Sequence, residues 1–332
     1  MKIKAIKERS QLKHSIHCHL QQNGYLEVET PIMTNHLIPE PTIANFATTF
    51  ISEFQKEREL YLIPSPEVHM KPLIKELNQS LYQFVRCFRN NEQSGSYHNS
   101  EFTMLEYYSI DCDELDSIEI TEKLISDTAL KGTKEHLLPP FKRMSVAQAC
   151  YEIGKFDLDK CQNITKLRQE VINNNLYLPS TPESWQETFH RLFLNLVEPY
   201  LPQDKPLILY DYPAQIACLA KEHKDKPYRK RWELYAGGIE LANCYDEEQD
   251  YEKVLSYYQN QYALLANQRA NTSFAIADVD YSFVDLFKDS FPQCSGVALG
   301  FDRLLMLQGG YKRVGDLILF NISDIIGGGH KD

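Results

Sequence analysis

The chain has 332 residues, 43% of them apolar and 24% charged, with a formal net charge of −11. This is ordinary globular composition with material for a proper core, and it excludes coiled-coil and disordered classes. The acidic balance argues against a protein built to grip nucleic-acid phosphates, and no apolar run reaches the roughly twenty residues of a membrane span, so no membrane partner is expected.

In chain order, the spacing of Ile6, Leu12, Ile16 and Leu20 predicts an amphipathic helix over 6–23, stopped by Gly24. Its charged start lacks the apolar stretch of a secretory leader. Together with eight scattered cysteines and no C-x-x-C pair, this fits a reducing cytoplasm. Alternation over 25–30 and the run 59–63 predict strands. Ser65-Pro66-Glu67 reads as a helix start, with Ser65 as N-cap and Pro66 at the first helical position. Pro72 inside that helix removes an amide donor. The runs 81–90 and 101–111 predict a long antiparallel hairpin around a polar loop. Helices are expected over 113–131, 145–153, 163–174 and 183–200, forming a mostly helical insertion at about 112–205. Strands are expected at 206–212, 232–236 and 239–245, helices at 249–269 and 280–289, then a strand at 295–299 and a helix over 301–307. The organisation expected is a single α+β domain spanning 1–332.

Three segments carry the chemistry. Gly24-Tyr25-Leu26-Glu27-Val28-Glu29-Thr30-Pro31 follows the first helix. Phe88-Arg89-Asn90-Asn91-Glu92 precedes His98-Asn99-Ser100-Glu101-Phe102-Thr103-Met104-Leu105-Glu106. Gly296-Val297-Ala298-Leu299-Gly300-Phe301-Asp302-Arg303 comes last. In this order they resemble motifs 1, 2 and 3 of the class II aminoacyl-tRNA synthetases, over about residues 6–320. The second segment and Gly238-Ile239-Glu240-Leu241-Ala242-Asn243 look lysyl-type. Motif 1 begins within the first thirty residues, so no anticodon-binding domain is expected. The chain is therefore similar to the truncated lysyl-type paralogues that ligate (R)-β-lysine to elongation factor P. Ser65-Pro66-Glu67 and Ala298 agree with that branch.

The resemblance implies an antiparallel sheet flanked by helices, a homodimer paired through motif 1, and no stable tRNA binding. It implies ATP and Mg2+ as cofactors, (R)-β-lysine or lysine as substrate, and elongation factor P as acceptor. Activating a carboxylate with ATP needs fixed positive charge around a transferring phosphoryl group. Arg89 and Arg303 are the expected catalytic residues, with planar forks suited to phosphate. Taken alone, two strand-borne arginines are more often a solvated face or an ion pair; inside ordered motifs that balance reverses. The implied ATP site adds Asn90, Asn91, Glu92, His98, Asn99, Phe102, Glu240, Leu241 and Gly300, with Phe102 stacking on adenine. Glu233 and Glu240 are candidate magnesium ligands. A desolvated ammonium needs fixed counter-charge. By resemblance Glu67, Glu247 and Tyr108 hold the side-chain amine, Glu106 and Asn243 lie near the other end, and Ser65, Pro66 and Ala298 complete the pocket.

The chain departs from the family in places. The stretch from Arg89 to His98 is one residue longer than usual, so either Asn91 replaces the adenine-contacting glutamate or Glu92 supplies it through a bulge. Pro72 stands where Arg is usual, and Cys244-Tyr245-Asp246 where Gly-Phe-His or Gly-Phe-Ser is usual. Two alternatives stay open: a lysine-adenylating enzyme that charges tRNA or a small molecule, and a non-catalytic nucleotide-binding paralogue. His14, His17 and His19 on the first helix read as interface or solvated residues, the tyrosine-rich run 251–262 as packing, and the acidic run 111–119 as a solvated helix start.

Overall fold

The hairpin expected at 81–111 forms the middle of the computed structural model, which describes residues 2–91, 95–270 and 272–327. The elements in chain order are α1 (Ile3–Gln22), β1 (Leu26–Glu27), β2 (Met33–Thr34), β3 (Ala47–Phe50), β4 (Arg58–Leu62), α2 (Glu67–Leu77), β5 (Leu81–Phe88) and β6 (Glu101–Ile110). Then come α3 (Glu114–Thr128), β7 (Lys142–Ser145), α4 (Val146–Glu152), α5 (Ile164–Asn173), α6 (Trp185–Leu196), β8 (Leu207–Pro213), β9 (Tyr228–Ala236) and β10 (Ile239–Asp246). The chain closes with α7 (Tyr251–Arg269), α8 (Tyr281–Asp285), β11 (Cys294–Gly300), α9 (Phe301–Gly309) and α10 (Ile322–Ile325). Eight strands form one sheet in the order β1-β5-β6-β11-β10-β9-β8-β7, and β2-β4-β3 form a second. The edge strands β1 and β7 pair in parallel, and the pairs between them are antiparallel. This is the expected α+β sheet flanked by helices.

Because side chains alternate along a strand, the sheet has two distinct faces. Leu105 and Tyr107 of β6, Val297 and Leu299 of β11, and Trp232 and Leu234 of β9 turn to one face. There they pack with Leu12, Ile16 and Leu20 of α1, Ile118, Leu124 and Ile125 of α3, and Leu305 of α9. Their neighbours in sequence, including Glu106, Ala298 and Glu233, turn to the other face, which carries the site. The helical insertion packs α4, α5 and α6 on β8 and the start of β9, through Val146, Leu167, Phe189 and Leu192 against Leu207, Leu209 and Tyr228. Ser145, Asn163 and Ser184 cap those helices with side-chain oxygens.

Some expectations change. Ile6 is 42% exposed, and Ala5 takes its place on the buried face of α1. Positions 5, 12, 16 and 20 share one stripe, whereas residue 6 lies about 100° round the helix. The strand expected over 25–30 shortens to β1, and Leu26 stays 43% exposed at the sheet edge. Ser65 does not cap α2: the helix starts at Glu67 with no side-chain cap, and it runs unbroken through Pro72. The acidic run does cap a helix, through Asp113 and Asp116 of α3, yet Glu114 is buried with Lys230 at 3.5 Å. Strands β2, β3 and β7 were not legible, being two to four residues long. Among the described residues no helix is long and apolar enough to cross a membrane.

Candidate active site

Strand register sets the site out in rows. Glu106, Ala298, Asn243 and Glu233 stand side by side on β6, β11, β10 and β9. Two residues along, Tyr108, Gly296, Tyr245 and Arg231 form the next row. The β9–β10 turn that aligns the last two strands needs left-handed backbone, supplied by Gly237 (φ 56°) and Gly238 (φ 76°).

Two cavities open on this face. The larger, about 270 Å³, is lined by Arg89, Tyr97, His98, Asn99, Phe102, Glu240, Leu241, Asn243, Ala298, Gly300, Asp302 and Arg303, among others. Arg89 leaves the end of β5 with its guanidinium over the Phe102 ring, 5.2 Å from the centroid. Its Nε is buried and makes no protein hydrogen bond among the described residues. Arg303, in the first turn of α9, donates to the Tyr97 carbonyl at 3.2 Å and the Glu240 carbonyl at 2.8 Å. Asp302 holds that turn in place: it accepts from the Thr103 amide at 2.7 Å and pairs with Arg9. Glu240 is pushed up to about 7 by burial and by the neighbouring Glu233, with Arg303, Arg231 and Arg89 opposing the shift. An acid held this way has less positive charge beside it than it can use, and that suits a divalent cation.

The smaller cavity, about 70 Å³, shares Arg89, Met104, Asn243 and Ala298 with the first. Its wall carries the carboxylates of Glu40, Glu67, Glu106 and Glu247. Lys71, 1% exposed, lies between two of them, 2.5 Å from Glu67 Oε1 and 2.7 Å from Glu247 Oε2. Glu106 accepts from the Tyr108 hydroxyl at 2.9 Å, and burial and the charge of Glu67 hold its carboxyl well above the usual range. Burial also lifts Glu247 to about 7, against the pull of Lys71. Gly296 makes room here: a Cβ on it would lie 2.5 Å from Glu247 Oε1 and 2.6 Å from Tyr108 Cε1. Gly296→Ala is therefore expected to weaken amino-acid binding by about tenfold to two-hundredfold, the 1–3 kcal/mol that one methyl group commands in a close-fitting pocket. ATP binding should be untouched; parallel titrations of the two ligands check this, and equal weakening of both would contradict it.

The expected residues fall into groups. His98, Asn99, Phe102, Leu241, Gly300, Glu240 and the two arginines gather at the larger cavity. Ser65, Glu67, Glu106, Tyr108, Asn243, Glu247 and Ala298 gather at the smaller. Asn99 is committed to structure as well, donating to the Glu101 carbonyl at 2.6 Å and accepting from the Ile322 amide at 3.1 Å. Asn90 and Asn91 line neither cavity, and Asn91, at φ 54°, points to solvent. Glu92 lies outside the described residues. Pro66 precedes α2 without lining the pocket. Glu233 stands on the site face but lines neither cavity. Its oxygens accept from Arg231 at 2.5 Å and from the hydroxyls of Tyr212 and Tyr235 at 2.6 and 2.9 Å. Sequence reasoning passed over Glu40, Lys71, Arg231 and Asp302. Lys71 had a local signal, four residues after Glu67 on one helix face. Among the described residues no group of three or more His, Cys, Asp or Glu is arranged to hold a metal. The helix-1 histidines instead pair with neighbours, His17 with Glu27 at 3.1 Å and His19 with Asp127 at 3.4 Å.

The raised carboxyls bear on stability. In the unfolded chain a glutamate loses its proton near 4.5, whereas folded Glu240 and Glu247 keep theirs to about 7. Between those values the folded state holds more protons, so raising pH removes stability. Partly buried histidines held below their usual value (His19, His36, His69, His190 and His223) contribute the opposite slope. The glutamate contribution is therefore read as the melting temperature of the ligand-free protein minus that of a Glu240→Gln/Glu247→Gln variant, and this difference is expected to fall from about pH 5.5 to about pH 7.5. A rise over that interval, read by differential scanning calorimetry, would contradict it.

The sheet, the arginine-lined cleft and the motif order define one class: over residues 2–323 the chain matches, and belongs to, the class II tRNA synthetases (D, K and N). It is accordingly an ATP-dependent aminoacyl ligase by class. Among similar proteins is the elongation factor P–(R)-β-lysine ligase of Vibrio atlanticus (strain LGP32), 31% identical over 96% of this chain and 95% of the relative. Those of Hamiltonella defensa and Proteus mirabilis are each 32% identical over 95% of this chain and 94% of the relative.

Proposed function

We propose that the protein adenylates (R)-β-lysine with ATP and transfers the aminoacyl group to a lysine ε-amine of elongation factor P. In this reading it works in the cytoplasm as a homodimer and binds no tRNA stably. The observation that supports it is the junction of the two cavities at Arg89, Asn243 and Ala298, where an acidic amine pocket meets an arginine-lined nucleotide cleft.

A carboxylate oxygen of the amino acid attacks the α-phosphorus, and pyrophosphate leaves. Arg89 neutralises charge on the α-phosphate, Arg303 charge on the departing phosphates, and Phe102 stacks on adenine. Magnesium, when bound, screens the phosphate oxygens. Glu240 would hold it, with Glu233 behind, fixed by Arg231 and the two tyrosines. The acceptor's neutral ε-amine then attacks the acyl carbon. AMP departs with the bonding electrons and the amine sheds its proton, so holding the reactants together suffices without a covalent nucleophile. Glu67 and Glu247 each have one oxygen engaged by Lys71 and one left for the substrate's distal ammonium. Ser65 and Ala298 crowd the place of an α-amine, which the β-isomer avoids. (R)-β-Lysine should therefore be preferred over α-lysine by about tenfold to two-hundredfold.

The test offers the purified protein ATP, both lysines, tRNA and elongation factor P. A mass gain of one lysyl group on elongation factor P, larger with the β-isomer, is expected. Stable charging of tRNA with no gain on elongation factor P would overturn the acceptor, and equal use of both lysines would overturn the pocket argument.

A further inference from the structure

Glu40 sits in the loop between β2 and β3, within Pro39-Glu40-Pro41. Each proline fixes its own φ, and Pro41 also drives Glu40 towards extended backbone. Three contacts then pin the loop. The Tyr257 hydroxyl donates to the Pro39 carbonyl at 3.4 Å, the Asn90 amide to the Ala44 carbonyl at 2.8 Å, and the Arg269 guanidinium to the Ile43 carbonyl. Arg269 is itself buried at the end of α7 and also donates to the Ala275 carbonyl at 2.6 Å. The glutamate is thus held between α7 and the residue next to Arg89.

From there the partly buried Glu40 lines the smaller cavity with Ser65, Glu106, Asn243 and Ala298. The other acids of that wall have partners: Lys71 serves Glu67 and Glu247, and Tyr108 serves Glu106. Among the described residues no hydrogen bond or ion pair engages the Glu40 carboxylate. Desolvation, then the charge of Glu67, lift its carboxyl to about 7, while Arg89, Arg231 and Lys71 pull the other way. A half-buried carboxylate without a protein partner, presented to a cavity by a rigid loop, is placed to receive a cation. The cation has a defined place. Glu40 feels Glu67 and Lys71 of the distal-amine end as well as Arg89, but its loop is bridged through Ala44 to Asn90, the residue after Arg89, and this tie sets it toward the reacting carboxylate.

We propose that Glu40 binds the substrate ammonium nearer the reacting carboxylate, the β-ammonium of (R)-β-lysine, and so is a specificity residue of this enzyme. The proposal rests on the function argued above and adds to Glu106, which is engaged by Tyr108, a counter-charge free for the second ammonium of a diamino acid. In Glu40→Gln, the KM for (R)-β-lysine in pyrophosphate exchange is expected to rise about tenfold to a hundredfold, the worth of a hydrogen bond to a charged group. The KM for ATP should hold, and the melting temperature should not fall, because a desolvated charge has been removed. ε-Aminocaproic acid, which lacks that amine, should bind variant and wild type alike. An unchanged KM for (R)-β-lysine would overturn the proposal. So would parallel losses for ATP, the deamino analogue and the melting temperature, which mark a structural role. Wild-type protein that exchanges pyrophosphate with no diamino acid would instead overturn the function reading, and Glu40's role with it.

Discussion

Replacing Arg89 with alanine is expected to lower amino-acid-dependent pyrophosphate exchange by about a hundredfold or more, with the fold retained. The size follows from position. Arg89 lines both cavities, so in the proposed mechanism it stands within reach of both the attacking carboxylate and the phosphorus. Charge develops there in the transition state, and a guanidinium already held over the Phe102 ring meets it with little reorganisation. The fold should survive because Arg89 lies beyond the end of β5, where no strand pair depends on its side chain. A lysine in its place would keep the charge and lose the planar fork, so Arg89→Lys should recover only a fraction of the rate. Near-wild-type exchange by a folded Arg89→Ala protein would remove this residue from the mechanism.

Lys71→Met is expected to destabilise the protein by about 3–5 kcal/mol, the range for removing one partner of a buried ion pair. Lys71 is almost fully buried, and its ammonium is what separates Glu67 from Glu247. Without it two carboxylates confront each other in a desolvated pocket that also holds Glu106. Protonation would relieve part of the cost, so the loss should be smaller in mildly acidic buffer. Adding Glu247→Gln should restore much of the stability, and the double-mutant cycle measures the coupling. Chemical denaturation reads all three effects. A loss below about 1 kcal/mol would mean that the trio contributes no more than a surface pair. A diamino acid substrate should also stabilise Lys71→Met more than wild type, because its ammonium can occupy the vacated place.

Much of the fold was legible because its signals are local. Strand-like runs marked β5, β6, β10 and the second half of β9, and apolar spacing marked α1. Lengths of eight or more residues let those patterns rise above chance in the long strands. Alternation over 25–30 pointed to β1 but overstated its length, and the two-residue strand β2 carries too few alternations to read. Motif wording placed Arg89, Arg303, Glu240 and the Glu106–Tyr108 pair, since each lies inside a segment whose order along the chain is itself informative.

What sequence could determine alone was therefore the order of the elements and the residue types in the segments: an acidic chain with antiparallel strands between helices, arginines inside ordered motifs and a set of dispersed carboxylates. Only the tertiary structure decided which of those charges face one another. Lys71 meets Glu67 within one helix turn, but Glu247 reaches it from the end of β10. Glu233 shares a face with Asn243, yet Arg231, Tyr212 and Tyr235 draw its oxygens away from the cavity. Glu40 arrives on a loop with no periodicity, positioned by Tyr257, Arg269 and Asn90. Desolvation and Coulomb energy depend on distances across the fold, and those distances exist only once the strands have set their register.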